Sequence, residues 1–359
     1  MMMSLSADEQ VALIRAAVAA PSADNHHAIR FEVSAAALRL HVDRSIADGA
    51  PVHRKLFHEL AFGAMIENIV LSAERIGRHA NVVQYPPWSG GVVADIQFTA
   101  AVPGCPVDAC GDAIFARTTN RRLYERSRRV PGSILDELAH AAASRGDARV
   151  DWLDDDPRRS RILRLIFAAE RERFANERLH RELFEAIRFD VGWLATSETG
   201  LPPGSLEIEA PFRPIFKALR RWSLQRAMNA IGGSRLMAVR AAWFPAWTAP
   251  HIALLTVPRG SDVVDAGRAL QRLWLCATLH SIAFQPLAAA IALTSQSVVD
   301  GWVTEEVIER MRGELNDLAG DRRAVMIARL GYAPAPTVRA GRGSEHSYVL
   351  DAVGTTGPR

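Results

Sequence analysis

The segment from His53 to Gly77 is apolar almost all round its helical circumference between Leu60 and Leu71. A helix with no polar stripe cannot lie on a surface, so it must run through a core and be covered on every side. The chain has the material for that: 359 residues with 48% hydrophobic content bury one large core or two ordinary ones. A second segment echoes the first. Laying residues 63–77 over 267–281 matches Gly63 with Gly267, Ile66 with Leu270, Ile69 with Leu273, Leu71 with Leu275 and Ala73 with Ala277. Apolar core helices match by convergence often, so the echo taken alone leaves a repeat and a coincidence both open.

Around these two segments the periodicities alternate. Residues 7–19 read as a short amphipathic helix stopped by Pro21, with Val11, Ile14 and Val18 at helical spacing. Strands are expected at 31–33, 38–42, 81–84 and 93–99, then at 149–153, 251–257 and 325–330. Helices are expected near 132–145, 157–174, 178–190 and 262–280. Strands compatible with antiparallel pairing, mixed with large helices, give an α+β fold. Pro103-Gly104-Cys105-Pro106 interrupts any regular element and marks a boundary. Between about 197 and 250 the pattern loosens, with Gly-Leu-Pro-Pro-Gly at 200–204 and an aromatic cluster of Trp243, Phe244 and Trp247, as in an insertion or lid.

Charge and motifs narrow the function. The net charge of +3 and pI near 9.0 come from a mild, dispersed basic excess, which does not imply nucleic acid. Cys105, Cys110 and Cys276 have no metal-ligand spacing with His and do not make a disulfide framework, which fits a reducing cytoplasm. His26, His27, His251, His280 and His346 lack paired-ligand spacing, so no metal is expected. Asp8 and Glu9 stand where a signal peptide needs positive charge, and no apolar run approaches the roughly 20 residues of a membrane span, so no integral membrane segment is expected. Dinucleotide, P-loop and nucleophile-elbow signatures are missing from the sequence.

What remains is a set of polar residues at ordered positions. Arg117 and Arg121 are four apart, so a first helical turn there presents both on one side with the Thr119 hydroxyl and the turn's backbone N–H groups. Arginine forks suit a phosphate dianion; a solvated basic stripe continuing through Arg126, Arg128 and Arg129 is the competing reading. Ser22 and Asn25 follow Pro21, where short polar side chains cap helices or fix loops.

The segment Ala20-Pro21-Ser22-Ala23-Asp24-Asn25-His26-His27-Ala28-Ile29-Arg30-Phe31 resembles the A-P-S-x-x-N-x-Q-P-W-x-F segment of FMN-dependent nitroreductases. Arg117-Thr118-Thr119-Asn120-Arg121 resembles their R-x-S/T-x-R phosphate motif, in the R-T-T-N-R form of a long single-chain branch. Arg329-Leu330-Gly331-Tyr332, followed by Arg339-Ala340-Gly341-Arg342, resembles that branch's closing G-Y-x-x-x-P and basic residue. His27, Ala28 and Ile29 replace the family's Gln, Pro and Trp. The resemblance implies a nitroreductase-like α+β fold in which residues 1–105 and 106–359 are two related halves standing for the two subunits of a dimer. It implies FMN as cofactor: Arg117, Thr119, Arg121 and Arg342 converge on the phosphate, Pro21, Ser22 and Asn25 touch ring and ribityl, and the turn Gln285, Pro286, Leu287 offers donors to the flavin N5. No side chain is expected to act as an acid or base in hydride transfer. The implied activity is reduction of a small electron-poor acceptor by NAD(P)H in a monomer or homodimer; the alternative is a flavin-sequestering protein with little turnover.

The insertion adds a third theme. Phe212–Ala230 reads as one basic amphipathic helix, a pattern shared by ordinary surface helices, pocket lids and membrane-surface helices. As a lid it is expected to bring Trp222, Trp243 or Trp247 to the flavin.

Overall fold

The computed structural model describes residues 4–48, 52–102, 104, 106–295 and 303–350; of the expected boundary, Pro103 and Cys105 lie outside the described residues. The fold is α+β, with two antiparallel four-stranded sheets. The first sheet has β1 (Ile29–Val33), β2 (Ala37–Val42), β3 (Arg78–Gln84) and β4 (Val92–Ala100) in the order β1-β2-β4-β3. The second has β5 (Arg149–Trp152), β6 (His251–Val257), β7 (Ala283–Pro286) and β8 (Arg323–Gly331) in the order β5-β6-β8-β7. Both sheets therefore use the same strand order, and in both a long helix joins the second strand to the third: Val52–Arg75 in one, Val263–Leu279 in the other. Alternation sets the inner faces, with Ile29 and Phe31 of β1 and Leu38, Leu40 and Val42 of β2 turned into the core. In β6 every residue is buried.

The two long helices cross where the sequence echo aligns them. A methyl group on Gly63 would lie 1.8 Å from the Val264 carbonyl oxygen and 2.9 Å from the Gly267 Cα, and one on Gly267 would lie 2.2 Å from the Leu60 carbonyl oxygen. Exchanging each residue for its partner in the echo turns the first contact into the second, as an isologous interface requires. Neighbouring polar contacts obey the same exchange. Arg272 donates to the Glu67 carboxylate at 2.8 Å, and Gln271 donates to the Asn68 side-chain carbonyl at 2.7 Å. Burial alone would push the Glu67 carboxyl upward, but Arg268, Arg145 and Arg272 hold it below its ordinary range.

This crossing explains why the first core helix is apolar almost all round between Leu60 and Leu71. Phe62, Met65, Ile66 and Ile69 face the first core, while Leu56, Leu60 and Leu71 lie in the second, and Val264 returns the exchange. By length and composition alone His53–Arg75 could cross a membrane, at a mean hydropathy of 1.3, but 78% of its apolar window is buried inside the molecule.

Several elements differ from expectation. The 178–190 helix ends at Glu185. The loose 197–250 stretch is largely helical, with helices at Arg213–Ala218, Trp222–Ala230, Gly233–Ala238 and Phe244–Thr248. The single basic helix over 212–230 is broken: the Leu219 carbonyl accepts from the His180 ring at 2.9 Å instead of continuing the ladder, and Arg221 is extended. The turn expected at 285–287 begins as strand β7, and helices Ala289–Thr294 and Glu305–Ala319 have no counterpart among the expected elements. The closing segment returns to the first sheet, where the Leu350 N–H donates to the Phe31 carbonyl at 2.8 Å.

The crossing yields a prediction. Gly63→Val lowers the unfolding free energy in urea by about 3 kcal/mol or more, because backbone sits where the side chain must go. Gly313→Ala, in a helix where a methyl group meets nothing within 4 Å, stabilises by about 0.5–1 kcal/mol. Equal effects from the two variants would remove the close approach as an account of the fold.

Candidate functional site

The two core helices meet the N-terminal loop, the 114–121 segment, β7 and the insertion around a cavity of about 520 Å³, within the usual ligand-pocket range of roughly 300–1,000 Å³. Phe57, Leu60 and Ala61 of one core helix and Leu270 and Trp274 of the other give it apolar walls. Pro21, Ser22, Asn25, Arg117, Thr119, Arg121, Gln285, Pro286, Leu287 and Arg342 all line it. The structure thus brings together every residue singled out in the sequence as a candidate for cofactor binding.

Arg117 and Arg342 form its most cationic end. Arg117 is buried, donates to the Ala19 carbonyl at 2.9 Å, and lies 4.5 Å from the centre of the Trp274 ring. Arg342 donates to the Val18 carbonyl at 2.6 Å, the Ala20 carbonyl at 3.1 Å and the Asn25 side-chain carbonyl at 2.6 Å. The carbonyls ending the Ala7–Val18 helix favour cations by their partial negative charge. They do not neutralise them: among the described residues neither arginine forms an ion pair. Desolvation, then the charges of Arg342 and Arg339, hold the Arg117 pKa well below its ordinary value; desolvation, opposed in part by Tyr348, lowers that of Arg342 to about 10. The Arg117 Nε and the Ser22 Oγ are buried without a partner. A compact anion entering here would supply the missing countercharge and acceptors.

Arg121 belongs to a different wall. The expected helical turn at Arg117–Arg121 is extended backbone, because the Asn120 N–H donates to the Phe284 carbonyl at 2.9 Å and Thr119 bridges to the edge of β7. Arg121 donates to the Ser205 carbonyl at 3.2 Å, and its charged neighbours are Asp24, Arg173 and Glu207. Beside it stands a cluster that sequence reading did not single out. Glu182 accepts from His53 at 3.0 Å and from Arg54 at 2.5 Å, and Glu170 pairs with Arg173 at 3.0 Å. Burial would raise the Glu182 carboxyl, yet His53 and Arg54 pull it down to about 2.

Two other candidates are committed elsewhere. The Asn25 amide donates towards the carbonyls of Ser197, Glu198 and Gly341 while its oxygen serves Arg342, so it ties the loop, the insertion and the closing segment together. Asp24 and Asn25 both have positive φ, at 52° and 59°, a strain that this network sustains. In β7, Gln285 accepts from Arg329 at 2.6 Å and the Leu287 N–H donates to Ile327 at 2.7 Å. A backbone donor from this turn must therefore come from Ala288 or Ala289, which also line the cavity. The indole at the cavity is Trp274, stacked on Phe284 at 4.6 Å, and not Trp222, Trp243 or Trp247. Its Nε1 is buried without a partner. An indole within the second of the two echoing core-helix segments was the one signal that could have exposed it.

No known family profile matches the chain. The uncharacterized protein MT1398 of Mycobacterium tuberculosis (strain CDC 1551 / Oshkosh) is 24% identical over an alignment of 290 positions that covers 71% of this chain and 38% of the relative, so the chain spans under two fifths of that protein. Among solved structures, the chain is similar to the FMN-dependent nitroreductase NfnB from Mycobacterium smegmatis in complex with NADPH, at 18% identity and a TM-score of 0.36 over 67% of this chain and 96% of that one. It is similar to a nitroreductase with bound FMN from Desulfitobacterium hafniense DCB-2 at 15% identity and a TM-score of 0.34, covering 69% of this chain and all of the other. Oxidized iodotyrosine deiodinase bound to FMN and 3-iodo-L-tyrosine gives 14% identity and a TM-score of 0.38, again over 69% of this chain and all of the other. At such identities and scores the functional assignment rests on the geometry of the cavity.

One prediction concerns pH. His27, packed behind Arg342, donates to the Ala20 carbonyl at 3.2 Å, and burial followed by the Arg342 charge lowers its pKa to about 3. It is neutral when folded and titrates near 6.5 when unfolded. Its contribution is complete above about pH 6.5 and is lost as pH falls towards 3, because the unfolded chain then binds the extra proton. His58, lowered to about 4, acts in the same direction. Urea unfolding between pH 6 and 4 should lose about 1.4 kcal/mol per unit for each such histidine, and His27→Gln should remove one of these shares; an unchanged slope would contradict the assignment.

Proposed function

We propose that the cavity holds FMN and that the chain is an FMN-dependent oxidoreductase passing electrons from NAD(P)H to a small electron-poor acceptor. The observation that carries this reading is the pair Arg117 and Arg342: two cations without acids at one end of a cavity that also offers an apolar and aromatic wall from Phe57, Leu60, Leu270, Trp274 and Leu287, whereas the cations of the Arg121 wall stand among acids. A phosphate monoester attached to a flat apolar ring system matches that division. Arg117 and Arg342 would hold the phosphate, with the unpartnered Ser22 hydroxyl beside them. Trp274 and Leu287 would flank the ring, and the amides of Ala288 and Ala289 offer it donors. Bound FMN supplies the two-electron hydride chemistry. The chain's own task is orientation and exclusion of water, and no acid or base is assigned. Arg121 and Thr119 line the same cavity, and their contribution to phosphate binding belongs to this proposal.

We also infer that the two halves stand where two subunits would meet. Equal strand order, core helices at equal topological positions and exchanged contacts at Gly63 and Gly267 support it. Ala19, Pro21–Asn25, His53, Arg54, Phe57, Leu60 and Ala61 come from residues 1–105 and the rest of the cavity from beyond, so both halves build one site.

The test is spectral. Purified protein, reconstituted with FMN if necessary, should show flavin bands at one FMN per chain, and these should bleach with NADPH in the absence of air and return on adding a quinone or nitroaromatic. Bands that persist with both NADH and NADPH would favour sequestration, and failure to bind FMN at all would overturn both readings. Arg342→Gln and Arg117→Gln should each weaken FMN retention about 10–100-fold, for the loss of one charged hydrogen-bonding group, and more than Arg121→Gln does. An Arg121→Gln effect larger than either would relocate the phosphate.

A further inference from the structure

Residues 210–250 contain seven basic residues and no aspartate or glutamate, in a chain whose total net charge is +3. Two of the cations are engaged: Arg213 with the Ile208 carbonyl and the face of Trp193, and Arg240 with Glu209. The other five, Lys217, Arg220, Arg221, Arg226 and Arg235, are exposed and form no ion pair among the described residues. Large apolar side chains are exposed between them. Ile231 is 81% exposed, Leu236 63%, Phe212 60%, Ile215 57% and Leu224 42%. On the Trp222–Ala230 helix, Leu224 and Ala227 are exposed at helical spacing with Arg226 beside them, and Ile231 caps the end of the same helix.

The inner face of the same segment is well packed. Phe216 and Leu219 join a cluster with Phe174, Phe184 and Ile187, and Phe216 and Met237 line the cavity. The outer apolar residues are therefore not remnants of a loose core. They are held outward by helices anchored from within, against the ordinary tendency to bury them.

We propose that the outer face of this insertion docks on an anionic lipid surface. Leucine and isoleucine enter the headgroup–acyl boundary while lysine and arginine bind acidic headgroups, and five unpaired cations with no acid among them give the required complementarity. A second copy presenting the same face would set like charges against each other. Single-stranded nucleic acid uses aromatic platforms for its bases, whereas four of these five apolar tips are aliphatic. The surface does not depend on what the cavity holds. It lies on the element that walls the cavity, which places that wall next to the lipid.

Co-sedimentation of the full chain with vesicles tests the proposal. Binding is expected to vesicles of phosphatidylcholine mixed with phosphatidylglycerol at low salt, and to fall with phosphatidylcholine alone or at high salt. Replacing Arg220, Arg221, Arg226 and Arg235 with Gln should weaken binding about fivefold per charge removed. The separate combination of Ile215→Ser, Leu224→Ser, Ile231→Ser and Leu236→Ser should reduce it as strongly while leaving the charge intact. Near-ultraviolet circular dichroism and the thermal midpoint establish folding for both, and where one set fails to fold the other decides. Lack of binding to anionic vesicles would overturn the proposal. So would binding that neither set weakens, self-association that the Ser set abolishes without any vesicle binding, or retention on nucleic acid in place of vesicles.

Discussion

The backbone contact between Gly63 and Gly267 is the constraint on which the remaining architecture depends. Neither helix can approach the other so closely with a side chain at the crossing, since one added methyl group would overlap a carbonyl oxygen of the other helix. Close approach makes each helix part of both cores, as the exchange of Leu60 for Val264 shows. It also brings a carboxylate into a place without water. Glu67 is fully buried, and removal of one partner from such a group costs far more than the pair contributes, so three guanidiniums surround it. Beside the crossing, Leu60 and Ala61 of one helix and Leu270 and Trp274 of the other line the cavity.

The same chain uses buried arginines in two distinguishable ways. Arg329 is fully buried and its donors are satisfied by Gln285, the Pro245 carbonyl and the Arg122 carbonyl, with the Tyr124 ring 3.9 Å away. It ties β7 and β8 to the 117–122 segment and the insertion, and leaves nothing for a ligand. Arg117 also rests against an aromatic face, that of Trp274, yet its Nε has no acceptor and Arg339 and Arg342 repel it. Burying like charges together without an acid is unfavourable for the empty protein. The arrangement makes sense as a site completed by an anion, whereas Arg329 makes sense as a structural tie.

Some of this was legible in the sequence because single periodicities determine it. The all-round apolar helix, its echo and the alternation in β2 and β4 read directly, since each reflects burial that no local contact reverses. The residues lining the cavity were legible through an ordered resemblance, not through spacing. Their backbone was not: Arg117–Arg121 is helical by local pattern but is drawn straight by pairing with β7, a strand that its own Pro286 obscures. Nor could the sequence disclose that Asn25 is spent on Arg342, or that His180 stops a helix nearly forty residues away at Leu219. These are tertiary contacts that override local propensity.

Under the proposed pair of halves, an exact dimer would carry two cavities, and the structure shows what happens at the second position. The counterpart of Ala61, a small wall residue, is Asp265, whose carboxylate accepts from Gln84 at 2.9 Å. Gly146, with φ of 57°, carries the Arg145–Asp147 turn so close to Asp265 that a methyl group on it would lie 3.0 Å from the Asp265 Cβ. Val70 stands where the other side has Trp274, so the aromatic surface that holds Arg117 has no equivalent. Two such halves in one chain would not have to keep both sites the same, because each position would be encoded separately. One side keeps an apolar wedge with unneutralised arginines, while the other uses Arg145, Gln84 and Asp265 to close the crossing. Under that proposal separate encoding would also free the first side to gain an insertion as one of its walls, which a two-fold related pair could not do on one side alone.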